Sequence, residues 1–168
     1  YNNGSATVTN STISGNSAAY YGGGIENEGS ATVTNSIISG NSAGFDGGGI
    51  NNNGSATVTN STISGNSAGL FGGGIENFLN RVTVTNSTIS GNSAYYGGGI
   101  RNNGSATVTN STISGNFANS DGGGIYNRNS ATVTNSTISG NFAYYGGGIN
   151  NNGSATVTNS TISGNSAD

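Results

Sequence analysis

Glu26 and Glu76 are the residues best placed to do chemistry, because they hold the same position in two copies of a repeated block. Paired carboxylates cleave glycosidic bonds when one donates a proton and the other activates water or attacks the sugar. The repeat sets these two apart by two layers, ~9.6 Å at the spacing of stacked strands, near the upper limit for an inverting pair. Arg101 follows at the same position one repeat after Glu76 and is expected to pair with it. Asp46 and Asp121 each precede a G-G-G run, three layers apart, too far to act together. The chain has six acids, three basic residues, and no His or Cys. General-base and thiol chemistry therefore lack their usual groups. No catalytic residue is assigned, and solvated surface charge is the simple expectation for these side chains. A calcium repeat of the G-G-x-G-x-D kind needs a periodic Asp, and none recurs. G-G-G-I lacks the Lys and the helix of a phosphate loop. No metal and no cofactor is expected.

Hydroxyl groups are far more regular. Thr7 and Thr9 flank Val8, and the pattern returns as Thr32 and Thr34, Thr57 and Thr59, Thr83 and Thr85, Thr107 and Thr109, Thr132 and Thr134, Thr156 and Thr158. If each valine points inward on a strand, both threonines point outward. That makes a lattice two columns wide and seven rows tall. Within a row the threonines lie ~6.6–7 Å apart, and the rows lie ~4.8 Å apart. Threonine is also what a solvent-facing strand prefers.

The elements that would position these groups follow from the repeat itself. T-V-T-N-S-T-I-S-G-N or a near copy recurs with its valine at Val8, Val33, Val58, Val84, Val108, Val133 and Val157, a spacing of 24 to 26 residues. A period of this size marks a solenoid. Apolar residues are 30% of the chain, against the roughly 45–50% of an ordinary domain, so the core is a thin thread. T-V-T alternates as a half-buried strand does, T-I-S resumes after an asparagine, and a third strand surrounds the isoleucine of G-G-G-I. β-branched residues and frequent glycine exclude helix. The sequence thus predicts an all-β, right-handed parallel β-helix of about seven coils with three short strands each, right-handed because parallel crossovers are. The stack would be ~30 Å tall.

The inner thread is expected at Ile25, Val33, Ile38 and their equivalents, with alanines such as Ala31. Asn10, Asn35, Asn60, Asn86, Asn110, Asn135 and Asn159 end the T-V-T strand. They are expected to turn the corner and to hydrogen-bond along the axis as a ladder. Valine and T-I-S isoleucine stay five residues apart in every coil. Length changes fall before Val84, at Asn77-Phe78-Leu79-Asn80-Arg81, and before G-G-G, where Tyr20 and Tyr21, Phe45, Leu70 and Phe71, Tyr95 and Tyr96, and Tyr144 and Tyr145 cluster. One ring of each pair is expected to cap the thread. Phe117 and Phe142, in consecutive coils, are expected to stack.

The G-G-G-I runs beginning at Gly22, Gly47, Gly72, Gly97, Gly122 and Gly146, each followed by T-V-T-N-S-T-I-S-G-N or its near copy, carry a resemblance over the whole chain. It resembles bacterial cell-surface parallel β-helix proteins, including the polymorphic outer-membrane proteins with G-G-A/I-I repeats. It departs from them in having G-N-S-A or G-N-F-A where they have F-x-x-N. The resemblance implies an extracellular or cell-surface structural or adhesive role. The T-x-T face is similar to that of insect antifreeze β-helices, which implies ice binding as the alternative. Glycan binding or cleavage is a second alternative.

Net charge is −3, so no basic footprint for nucleic acid exists. No apolar run reaches the roughly 18 residues of a membrane span. Residues 1–168 read as a single array, cut mid-repeat at both ends and expected to belong to a longer solenoid or a filament unit. The expected partners are copies of itself stacked end to end, the rest of a longer solenoid, glycans, or host or cell surfaces.

Overall fold

The computed structural model describes residues 1–168 and contains strands, turns and no helix. The chain winds through seven coils whose strands stack into four parallel sheets. Seven T-x-T strands run from Ser5–Thr9 to Ser154–Thr158, and seven T-I-S strands from Thr12–Ser14 to Thr161–Ser163. Six I-x-N strands run from Ile25–Asn27 to Ile149–Asn151. The fourth sheet was not expected. It stacks seven short strands at the G-N-S-A position, from Ser17–Ala18 to Ser166–Ala167. Two extended residues are too few to show a period in sequence, yet they suffice to turn Ala43 and its equivalents inward.

Register is strict. Val8 pairs with Val33, Val33 with Val58, and so on, like over like. The longer turn before Arg81 is absorbed without a slip, since Thr83 lies over Thr57 and Val84 over Val58. The register shifts between Ala94 and Tyr96, at the variable corner before G-G-G.

The core is one side chain deep. Each interior coil contributes a set such as Ala31, Val33, Ile38, Ala43 and Ile50, all buried. Ile and Val fill the space between the four walls, and no ring enters the apolar cluster. The expectation that an aromatic of each pair caps the thread is therefore corrected. Tyr20, Tyr21, Phe45, Tyr95, Tyr144 and Tyr145 stay exposed outside the coil.

Asparagine and glycine set the corners of each coil. Asn10 and its six equivalents adopt φ of 48–51°, the left-handed region that asparagine tolerates among L residues. The first glycine of each G-G-G also has positive φ, 62–67°. The third is excluded from bearing a side chain by the next coil: a Cβ on Gly24 would meet the Gly49 carbonyl oxygen at 2.6 Å.

The corner asparagines turn the chain, but they are not the ladder. Their side chains face solvent and only their backbone N–H groups reach the next coil, as Asn35 does to Thr59 O at 3.1 Å. The ladder expected at Asn10, Asn35, Asn60, Asn86, Asn110, Asn135 and Asn159 is carried instead by three other columns. In the first, Asn2, Asn27, Asn52, Asn77, Asn102, Asn127 and Asn151 are joined by six bonds, each from the Nδ2 of one to the Oδ1 of the next at 2.7–2.8 Å. In the second, Asn16, Asn41, Asn66, Asn92, Asn116, Asn141 and Asn165 are joined in the same way at 2.8–3.0 Å. Here each Oδ1 also accepts the backbone N–H of the preceding asparagine. The second Nδ2 hydrogen goes back to the T-I-S isoleucine carbonyl, as from Asn92 to Ile63 O at 3.0 Å. The third column is serine. Ser36 Oγ accepts the Ser11 N–H at 3.1 Å and donates to Thr34 O at 2.7 Å, pinning the left-handed turn at Asn35. The interior members of all three columns are buried.

Replacing Asn92 with Ala strands two donors on Asn66 and the acceptor on Ile63. We expect Asn92→Ala to cost about 3 kcal/mol or more in urea unfolding, at 1–3 kcal/mol per buried orphan. Asn86→Gly at the exposed corner should change stability by only a few tenths of a kcal/mol, since glycine accepts the same φ.

Candidate functional site: the threonine face and the aromatic groove

The T-x-T sheet lays the candidate surface residues out as the alternation requires. Thr7, Thr32, Thr57, Thr83, Thr107, Thr132 and Thr156 form one unbroken column, and Thr9, Thr34, Thr59, Thr85, Thr109, Thr134 and Thr158 the other. All point away from the core, exposed or half-exposed, while alanine and valine between them point in. A third column, absent from the sequence reading, runs beside them: Ser5, Ser30, Ser55, Ser105, Ser130 and Ser154, interrupted by Arg81. The signal was present, since serine precedes A-T-V-T in six of seven coils. The face is therefore three hydroxyl columns wide.

On the opposite side the chain doubles back at the first glycine of G-G-G. A Cβ on Gly22 would lie 2.7 Å from Glu26 Cα, so the residue before the glycines and the residue after Ile25 share one groove. Along the axis one wall of this groove is Tyr21, Asp46, Phe71, Tyr96, Asp121 and Tyr145. The other wall is Glu26, Asn51, Glu76, Arg101, Tyr126 and Asn150.

Rings roof the middle of the groove. Phe71 and Tyr96 have centroids 5.5 Å apart, and Tyr96 stacks on Tyr126 at 5.7 Å. Among them Arg101 donates from Nη1 to Glu76 Oε1, and its guanidinium lies 3.9 Å over the Phe71 ring. Both partners of this pair are buried, which corrects the expectation of solvated charge. The expected pairing itself is present. Glu76 Oε2 and Arg101 Nε have no partner. Glu26 and Glu76 do not converge on a shared site, because Asn51 stands between them in register. Asp121 is engaged by Ser120 Oγ at 2.6 Å and Asn150 Nδ2 at 2.6 Å. Phe117 and Phe142 stack as expected, centroids 5.4 Å apart and planes 3° apart.

The low-numbered end of the groove opens into a cleft of about 260 Å³. Tyr21 and Phe78 form its apolar walls, and Glu26, Glu28, Asp46, Asn51 and Asn53 supply oxygen. No cluster of three or more acidic, His or Cys side chains is disposed to hold a metal ion.

The family profile for a right-handed β-helix region matches residues 1–162. The chain belongs to that family. No curated protein and no solved structure matches it.

Electrostatics in this β-helix are concentrated in the groove. Burial pushes the Glu76 carboxyl up to about 8 against the pull of Arg101. Glu26 and Asp46 are also raised, in both cases chiefly by burial. A Glu76 that holds its proton to about pH 8 when folded and to 4.5 when unfolded makes the folded β-helix bind more protons between those values. The stability it contributes is complete below about 4.5 and is lost as pH rises to about 8. We expect Glu76→Gln to flatten the stability profile between these limits, measured by thermal unfolding across pH. Arg101→Ala, which removes the pull that lowers the Glu76 pKa, should carry the pH-dependent loss of stability to higher pH in the same unfolding series.

Proposed function

We propose that this β-helix is a non-enzymatic structural or adhesive solenoid, a rigid rod segment displayed outside the cell in the manner of bacterial surface proteins. The observation that carries this reading is the continuity of the three buried side-chain columns through all seven coils. Each coil completes the hydrogen bonds of its neighbours, so the unit of stability is the stack, as in other repeat proteins. Charged residues are 5% of the chain, leaving a hydroxyl and amide surface suited to broad contact. Its axial partner is a further coil of the same design, in a longer chain or a second copy. In electron microscopy, coils joined end to end should form straight rods with a ~4.8 Å layer repeat. Flexible filaments would end the reading.

The unbroken threonine lattice favours a second reading, ice binding. The unaltered protein should then show thermal hysteresis, and Thr57→Tyr, Thr107→Tyr and Thr109→Tyr together should abolish it without changing the β signal in circular dichroism. No hysteresis in the unaltered protein would rule ice binding out.

A further inference from the structure

We propose that the cleft beside Tyr21 and Glu26 is a receptor for a guanidinium group, the arginine side chain of a partner polypeptide. The template lies within the same molecule. Two coils further along, Phe71 and Glu76 hold the guanidinium of Arg101, one from below its face and the other at its nitrogens. Tyr21 and Glu26 occupy the positions of Phe71 and Glu76, and the position of Arg101 is occupied by Asn51. The cleft therefore presents an aromatic face and a carboxylate in the arrangement that binds arginine elsewhere in the groove, with a short neutral side chain where the cation would sit.

Three of the residues that line the cleft each carry a buried oxygen without a donor. Asn51 is 4% exposed, and its Oδ1 has no partner. Its orientation is fixed, because Nδ2 donates to both Glu26 oxygens at 3.1 and 3.0 Å. Turning the amide over would set its oxygen against two carboxylate oxygens. Asn53 repeats the arrangement: Nδ2 donates to Glu28 Oε1 at 2.7 Å, and Oδ1 is left unpartnered. Asp46, which stands where Tyr96 stands beside Arg101, has an unpartnered Oδ1 as well. Two orphan amide oxygens and three carboxylates, one of them with an orphan oxygen of its own, call for a ligand rich in N–H donors and positive charge. Tyr21 and Phe78, each about half exposed, call for a flat cation that stacks. A guanidinium offers five donors in a plane and stacks on aromatic faces. A bare metal ion has neither property. The carboxyls of Glu26 and Asp46 are raised chiefly by burial, Asp46 against the pull of Arg101.

The test is calorimetric titration of the whole chain with acetyl-arginine amide, with an arginine-containing pentapeptide, and with acetyl-citrulline amide, the neutral isostere. Either arginine ligand should bind and the citrulline compound should not. Glu26→Gln should weaken binding about tenfold, the loss of roughly 1.4 kcal/mol in a charge-assisted contact. Asn51→Arg should let the chain fill its own cleft, abolishing binding while raising the unfolding temperature. Should that variant fail to fold, Glu26→Gln and Tyr21→Ala decide the matter, since both leave the core and the ladders untouched. Equal binding of citrulline or acetyl-lysine amide, absence of binding by both arginine ligands, or indifference to Glu26→Gln would overturn the proposal. None of these outcomes bears on the rod or the threonine face.

Discussion

A buried asparagine amide with all its hydrogen bonds made is the interaction on which this structure rests. An amide taken out of water costs several kcal/mol unless it is paired. In the G-N column each interior asparagine meets that demand in full: two hydrogens given, two lone pairs used, all to adjacent coils. The geometry works only if successive coils repeat at the strand spacing, since each Oδ1 must lie within about 3 Å of the next Nδ2. The ladders thereby enforce the register that aligns valine over valine and threonine over threonine. A core of alanine, valine and isoleucine alone would tolerate sliding; these amides do not.

Much of the fold was legible because its determinants are periodic. The inward set at Val33, Ile38 and Ile50 could be read from the alternation around T-V-T and T-I-S. The identity of the ladders could not. Three asparagines and a serine recur in every coil with equal fidelity, and periodicity cannot rank them. The left-handed residue at Asn35 breaks the in-and-out alternation, so Ser36 turns inward where simple counting loses track. Asn35 itself, the most conspicuous punctuation in sequence, ends up in solvent. The two-residue strand at Ser42–Ala43 is too short for any period to register.

The two candidate surfaces differ in the same way. The threonine face is a local property of five-residue strands, so its two columns were visible in advance and the structure adds a serine column. The groove is a property of the bend at G-G-G. Tyrosine and phenylalanine before the glycines, and a variable residue after the isoleucine, look unrelated in the chain. Only the reversal at Gly22 and its equivalents folds one set onto the other. That reversal buries Glu76 and Arg101 beneath rings instead of leaving them in water, and it opens a cleft where the roof is missing.

The ladders also give the molecule a direction. In both asparagine columns the Nδ2–Oδ1 bond always runs the same way, from the Nδ2 of one coil to the Oδ1 of the next higher-numbered coil. The amide dipoles therefore add along the axis and do not cancel. One end of each ladder offers a side-chain carbonyl oxygen to an incoming layer, and the other end offers a side-chain N–H. Two stacks can join head to tail with every amide matched, whereas head-to-head contact would oppose like with like. A solenoid of this design is a vector, and whatever it builds inherits that polarity.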